Sequence, residues 1–333
     1  MNLYLRCVLV LIFVLPISMN LRAQDRISLD SIQAPAVIDS LFIDRNPANY
    51  SLRVFTNFKN QSFWFGDGNS TVKYTPNNRF GVGIGMASSK LLIDIAFNLR
   101  TDTENPTKRF DLRAFYKTKQ HFFDFFFQRY KGFDQRVSGQ PTVFRPDVVS
   151  VTHGINYLYL FNEKDYQAGP VRRVISKEIS TAFSYGAGGF TLLISHQGDQ
   201  PILGQGIYPE NEANGIDRVF GLGAGALGGV GGFFSLGGNF YSSVTFNTGL
   251  GLMFKEVEGL DGRSYDPGAW LFQLNGVGVL GYVREQYYLN LSMELGFYGT
   301  DITDNLYERL NVAQAKLAFG YKIFKKKREQ KLP

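Results

Sequence analysis

A set of charged side chains in several segments of this 333-residue sequence lies in the phase opposite to the alternating apolar residues. Charges on the inner face of a closed sheet must be paired or hydrated. Two interpretations follow: an ion-paired plug that fills a small lumen, or a polar conduit whose charges select a solute. The cluster comprises Asp94, Asp111, Arg113, Lys117 and Asp124 on three successive segments, with Glu294, Lys316 and Lys322 on the last two.

The three histidines are the main candidates for acid–base chemistry. His121 and His153 share a phase with apolar residues, which predicts that His121 is an interfacial residue on the outward face and that His153 points at lipid or its headgroups. His196 follows Ser195, and an imidazole that accepts a serine proton could serve a lipid hydrolase. Neighbouring residues on a regular strand point to opposite faces, so this pair cannot form a dyad there. We therefore predict a non-enzymatic protein, with a lipid-modifying hydrolase as an alternative.

The spacing of residues along the sequence does not indicate a metal site or a nucleotide site. Asp67-Gly68-Asn69 predicts a turn and not a calcium loop. The run Gly221-Leu222-Gly223-Ala224-Gly225 resembles a nucleotide loop but lacks the strand-then-helix context. The single cysteine, Cys7, precedes the expected cleavage site, so the mature chain offers no thiolate. We expect no metal and no cofactor.

The N-terminus predicts secretion. Arg6 precedes an apolar core at residues 8–17, and Leu21-Arg22-Ala23 precedes Gln24. This layout is typical of a signal peptide, and the core is too short to span a membrane as a helix. We predict cleavage near Ala23 and a location in the outer membrane of a Gram-negative bacterium. The remaining organisation would be a periplasmic lead-in (24–49), a barrel (50–324) and a basic periplasmic tail (325–333).

Strict alternation identifies the elements that would position the charges. Leu91, Ile93, Ile95 and Phe97 alternate with a mixed set of residues, as barrel strands do when one face meets lipid. The alternate positions hold Leu92, Asp94, Ala96 and Asn98. The 30 Phe and 18 Tyr need no large core in such a fold, because lipid solvates the outer face. The predicted strands are 50–65, 71–87, 91–99, 108–118, 121–131, 149–161, 177–196, 218–228, 238–254, 269–283, 287–298 and 313–324.

The connections between these strands alternate in length. Short polar turns follow residues 87, 118, 161 and 283, and long connections are predicted at about 100–107, 132–148, 197–217, 255–268 and 299–312. Outer-membrane barrels have short periplasmic turns and long extracellular loops. The fold class predicted is therefore all-β: a transmembrane antiparallel barrel of about 12 strands, with 10–14 compatible with the pattern.

Two basic residues mark the outer surface. Arg129 and Lys131 stand at the outer end of their predicted strand, where they could contact lipid headgroups. We expect outer-membrane lipid and lipopolysaccharide as partners, with a small solute possible for a conduit. Basic residues elsewhere form no stripe, which argues against nucleic acid as a partner.

Three segments carry a resemblance to a known family. They are Tyr50-Ser51-Leu52-Arg53-Val54-Phe55 followed by Lys59, then Lys73-Tyr74-Thr75-Pro76-Asn77-Asn78 leading into residues 81–85, and Phe127-Gln128-Arg129-Tyr130-Lys131-Gly132-Phe133. With them the sequence resembles the domain-of-unknown-function 4421 family of Gram-negative envelope proteins. The run at 184–194 matches only in part. The resemblance implies an outer-membrane barrel and supplies no activity.

Together these observations favour a non-enzymatic outer-membrane barrel, either a narrow channel or a structural barrel with a charged lumen. Besides the hydrolase, a third possibility is a surface barrel that binds a ligand with its long loops.

Overall fold

The computed structural model describes residues 50–66, 70–88, 91–99, 105–118, 120–161, 181–203, 215–259, 264–265, 268–284, 286–303 and 306–323. The predicted signal peptide, lead-in and basic tail lie outside these residues, as does the start of the strand predicted at 177. No helix long and apolar enough to cross a membrane occurs in the described part of the chain.

Fourteen strands pair in one antiparallel sheet within the described residues. They are β1 (Tyr50–Gly66), β2 (Thr71–Thr75), β3 (Phe80–Ser88), β4 (Leu91–Asn98), β5 (Lys108–Thr118), β6 (His121–Val137), β7 (Val143–Leu160), β8 (Thr181–Gln197), β9 (Ile216–Gly237), β10 (Phe240–Gly259), β11 (Ser264–Tyr265), β12 (Gly268–Val283), β13 (Tyr287–Thr303) and β14 (Leu306–Ile323).

Twelve of these strands close into a ring. Each pairs with its neighbours in chain order, apart from β2 and β11, and β14 returns to pair with β1. The two-residue β11 pairs with β10 beyond the start of β12, and counting it separately makes thirteen. The antiparallel barrel and its strand number are thus confirmed. Tyr50 and Ile323 lie opposite each other at the end that is periplasmic in barrels of this type.

Alternation along each strand separates a lipid face from an interior. On β13, Leu289, Leu291 and Leu295 are exposed while Asn290 is buried. On β3, exposed Phe80, Val82, Ile84 and Met86 alternate with glycines on the inner face. The exposed apolar side chains form a belt around the barrel, as lipid contact requires.

The strand predicted at 71–87 is in fact two strands. Pro76 cannot donate a ladder hydrogen bond, and the chain leaves the sheet at residues 76–79. The Asn77 side chain accepts from Thr107 there, and the Asn78 amide donates to the Leu99 carbonyl. β2 pairs with β1 and with β6 beyond the ends of β3, β4 and β5. The outer end of the barrel therefore has ten strands where the rest has twelve.

Several strands are longer than predicted, so the long connections predicted at 132–148 and 299–312 are wrong. Only residues 138–142 separate β6 from β7, and residues 304–305 separate β13 from β14. Gly132, at φ 84°, forms a bulge that shifts the inward phase of β6 to Phe133. Because a bulge interrupts the alternation of apolar and polar residues, the sequence pattern predicts a strand end at residue 131. β9 likewise continues past 228 to a two-residue turn at Gly238 and Asn239.

The barrel is packed along its length. Near the periplasmic end the interior contains a layer of buried apolar side chains from at least four strands. The outer end holds a second layer, mainly aromatic, that includes Phe63, Phe65, Tyr74 and Phe133. The periplasmic layer includes Leu92, Phe115, Phe122, Leu160 and Phe233. The charged residues lie between and beside these layers.

Candidate functional site: the charged interior

The first ion cluster joins β1, β4 and β14 around Asp94. Arg53 donates from Nε to Asp94 Oδ1 at 2.7 Å, and Lys316 donates to Oδ2 at 2.7 Å. Asp94 is 4 % exposed, so both cations bind a carboxylate that water hardly reaches. Gly85 stands opposite Asp94 on β3, where a Cβ atom would be 2.1 Å from Oδ1. The glycine on the inner face makes room for the ion pair.

The second cluster crosses the lumen from β5 to β13. Arg113 makes a bidentate pair with Asp124, with Nε–Oδ1 and Nη2–Oδ2 both at 3.0 Å. Its remaining nitrogen, Nη1, contacts Glu294 on the far wall. The Asn156 amide approaches Asp124 at 3.4 Å. One guanidinium thus binds two carboxylates and ties three strands together.

The third cluster surrounds Asp111 on β5. Lys59 donates to Oδ1 at 2.6 Å, and the Tyr130 hydroxyl donates to the same oxygen at 3.0 Å. Arg109 adds a nitrogen 3.5 Å from Oδ2 and donates to Asn57 at 2.6 Å. All these side chains are buried. Buried carboxylates are stable only with such partners.

The fourth cluster lies inside the ten-strand end. Glu308 on β14 accepts from both Lys255 on β10 and His196 on β8, the latter with Nε2–Oε1 at 2.9 Å. β8 and β14 stand on opposite sides of the ring, so the His196–Glu308 bond spans its diameter. The imidazole stacks on Phe63, with ring centroids 3.8 Å apart. Side-chain exposure is at most 1 % for Glu308, Lys255 and His196.

Six of the eight residues predicted for the lumen occur in these clusters: Asp94, Asp111, Arg113, Asp124, Glu294 and Lys316. Lys117 and Lys322 are buried nearer the periplasmic end, where Lys322 donates to the Arg284 carbonyl at 3.1 Å. Sequence reasoning missed Arg53, Lys59, Arg109, Lys255, Glu308 and the partner role of His196. Arg53 and Lys59 could have been found, because they alternate with Leu52, Val54 and Phe58. Lys255 and Glu308 fell in connections wrongly predicted as loops.

One small cavity adjoins the second cluster. A cavity of about 20 Å³ lies beside Arg113, Asp124 and Glu294, bounded also by Asn156 and Tyr298. That volume holds about one water molecule.

The outer mouth is covered by residues 198–203, which follow β8. The Arg145 guanidinium donates to the carbonyls of Gln200 and Pro201, at 2.8 and 3.0 Å. The Tyr74 hydroxyl donates to the Ile202 carbonyl at 2.7 Å, and the Ile202 side chain is fully buried. This segment therefore packs into the mouth and does not stand away from it.

The remaining sequence candidates lie on the outer face. Arg129 and Lys131 are exposed at the outer ends of the β5–β6 ladder. His121 contacts the Tyr157 hydroxyl at 3.0 Å, and His153 packs edge-on against Phe125. No group of three His, Cys, Asp or Glu side chains suited to a metal occurs among the described residues.

Comparisons with known proteins give a family and a general likeness. The family model described as a domain of unknown function (DUF4421) matches residues 37–323. No curated protein matches the chain. The outer-membrane protease OmpT from Escherichia coli is 9% identical over 84% of this chain and 98% of its own, with a TM-score of 0.38. An outer-membrane channel from Pseudomonas putida F1 is 9% identical over 90% and 100%, with a TM-score of 0.34. Likenesses this distant favour neither an enzyme nor a channel.

Proposed function

The chain belongs to the domain-of-unknown-function family DUF4421, and we propose that it is a sealed, non-enzymatic barrel of the Gram-negative outer membrane. The proposal selects the structural barrel over the narrow channel. It also implies that any biological activity resides on the outer surface of the protein and not in its lumen.

The observation that carries this proposal is the continuity of packing across the lumen. The diametrical His196–Glu308 bond and the cross-lumen Arg113–Glu294 pair lie in successive sections of the barrel. A conduit needs hydrated charges that an ion can visit. Here each carboxylate of the four clusters is bound to at least one cation, and the space beside Arg113 is water-sized.

The surroundings of the histidines support the absence of lumenal catalysis. A hydrolytic His must reach both a nucleophile and a substrate. His196 is fully buried against Phe63 and is bonded to Glu308, while Ser195 precedes it on the opposite face of β8. The loops considered for ligand recognition include residues 100–104, 204–214 and 260–263, which lie outside the described part of the chain.

The cellular location forms part of the proposal. The apolar belt requires a lipid environment, and the N-terminal pattern predicts export with cleavage near Ala23. Fractionation should recover the protein with the outer membrane after sodium carbonate extraction, with a mature N-terminus at Gln24. Recovery from the soluble periplasm would contradict the proposal.

Conductance measurement tests the sealed lumen. The purified protein should insert into planar bilayers and give no discrete current steps, while a known porin added in parallel does. Heat-dependent migration on gels and protease resistance in liposomes would establish that the protein is folded and inserted. Regular steps of constant ion selectivity from the folded protein would overturn the proposal and restore the conduit.

A further inference from the structure

We infer that one side of the outer wall binds the phosphate groups of lipopolysaccharide. The side in question carries exposed or half-buried cations on four strands, and we call it the basic face. Its members are Lys73 on β2, Lys108 on β5, Arg129, Lys131 and Arg136 on β6, and Arg309 on β14. This inference does not depend on whether the lumen is sealed.

Like charges stand directly opposite each other at two points of the basic face. Lys108 pairs with Lys131 in the β5–β6 ladder, and Lys73 pairs with Arg136 in the β2–β6 ladder. Directly opposed residues have Cβ atoms about 5 Å apart, and equal charges at that separation destabilise a sheet. An anion bound between the two cations would attract both of them and offset their mutual repulsion.

The basic face offers little internal compensation. None of the described carboxylates forms an ion pair with Lys108, Arg129 or Lys131. Asp134, opposite Thr75, is the one described carboxylate on the β6 part of this face. Inside the barrel, by contrast, the cations of the four clusters each have an acidic partner.

The opposite wall carries a different set of charges at its outer end. Arg218 on β9 pairs with Glu258 on β10 at 3.7 Å, and Glu256 is exposed on the same strand. Among the residues that the structure describes, the surplus of cations at the outer end therefore lies on one side of the barrel, where it can select an anionic ligand.

Aromatic side chains adjoin the cations and identify the ligand as amphipathic. Trp64 stands between Arg309 and Lys73 in successive ladders, and the Lys73 ammonium lies 5.4 Å from its ring. Trp is enriched at membrane–water interfaces. Toward the belt, Phe110 pairs with Arg129 and packs against Phe127, with centroids 6.1 Å apart. Lipopolysaccharide, whose phosphates adjoin its acyl chains, matches cations above aromatics. A free phosphate would use the cations alone.

The test compares two variants of the full-length protein. The basic-face variant is Lys73→Gln, Lys108→Gln, Lys131→Gln and Arg136→Gln, and the matched control is Arg218→Gln on the opposite wall. Each is reconstituted into nanodiscs containing purified lipopolysaccharide, dephosphorylated lipopolysaccharide or phosphatidylglycerol. Retained lipid is quantified by mass spectrometry after detergent exchange. Inorganic phosphate serves as a soluble competitor, and heat-dependent gel migration verifies folding.

The wild-type protein and Arg218→Gln should retain lipopolysaccharide equally. The basic-face variant should retain it at least roughly tenfold less well, since each cation near an anionic surface strengthens binding to that surface. Dephosphorylated lipopolysaccharide and phosphatidylglycerol should be retained weakly by all three proteins. If the fourfold variant does not fold, Lys108→Gln/Lys131→Gln is used with an expected loss of about fivefold. Three results would each overturn the inference. They are equal retention of lipopolysaccharide by the folded variants, equal retention of intact and dephosphorylated lipopolysaccharide, and full displacement of lipopolysaccharide by inorganic phosphate.

Discussion

The ten-strand outer end and the twelve-strand body of the barrel are filled by different side chains. In the body, long cations reach inward to carboxylates, and the Arg113 and Glu294 side chains retain about a fifth of their exposure, 21% and 18%. At the outer end, stacked aromatic rings surround one charged group, and the Glu308 carboxylate is 1% exposed. The wider section thus holds one partly exposed ion cluster, around Arg113, while its clusters around Asp94 and Asp111 are buried, as is the cluster of the narrower section.

This difference depends on the strands that form the barrel as well as on the side chains that occupy its interior. Where β3, β4 and β5 complete the ring, glycines on the inner face of β3 leave space for Arg53, Phe55 and Arg109. Where β2 replaces those three strands, the barrel is narrower and aromatic side chains fill it. Phe63 and Tyr74, for example, stack with ring centroids 4.7 Å apart. Removal of one ion-pair partner should therefore cost more stability in the Glu308 cluster than in the Arg113 cluster.

The largest effect is expected at Glu308. Replacing it with Ala leaves Lys255 and His196 without their shared partner in the driest section of the barrel. Loss of one partner of a buried pair typically costs about 3–5 kcal/mol. Urea unfolding in detergent micelles, followed by tryptophan fluorescence, measures the change. The control Glu256→Ala, at an exposed position of β10 next to Lys255, should stay within about 0.5 kcal/mol. A small effect at both sites would mean that water reaches Glu308.

The lipid belt should respond strongly to charge. Leu291→Arg puts a guanidinium on the lipid face of β13, where such changes cost about 2–4 kcal/mol near the bilayer centre. Val143, 54% exposed at the outer rim of β7, is the comparison site. Val143→Arg should be nearly neutral, because that side chain can meet water. Unfolding in lipid vesicles gives both values, and equal costs would show that the belt has been assigned to the wrong section.

Arg113→Ala examines the body of the barrel. It removes the cation shared by Asp124 and Glu294, and we expect a loss of about 2–3 kcal/mol, less than at Glu308 because these groups are partly hydrated. Conductance should stay absent. If the lumen conducts, water screens both carboxylates, and the variant should alter ion selectivity with little loss of stability. A loss larger than that of Glu308→Ala would reverse the proposed difference between the two sections.

The body was more predictable from the sequence than the outer end, for a physical reason. A wall between lipid and a polar interior forces strict alternation, so Asp94, Arg113 and Lys316 could be assigned to the inside. Beyond the belt the outer face carries polar residues and the inner face carries aromatic ones, which weakens that contrast. There the strands holding Lys255 and Glu308 resembled loops, and the bulge at Gly132 shifted the phase. Ion partners across the lumen, such as Arg113 and Glu294, depend on ring closure, which no local pattern encodes.

The smallest effect concerns space around the first cluster. A Cβ atom at Gly85 would lie 2.1 Å from Asp94 Oδ1, 2.9 Å from Arg53 Nε and 2.8 Å from the Ile93 carbonyl. Gly85→Ala must therefore displace the ion pair or the strand, at about 1–3 kcal/mol. Gly278, on the lipid side of β12, has no such neighbour within 4 Å, and Gly278→Ala should not destabilise the barrel. Unfolding midpoints of the two variants measure the contrast. If Gly85→Ala is as stable as Gly278→Ala, the charged body has spare volume, and the sealed lumen loses its main support.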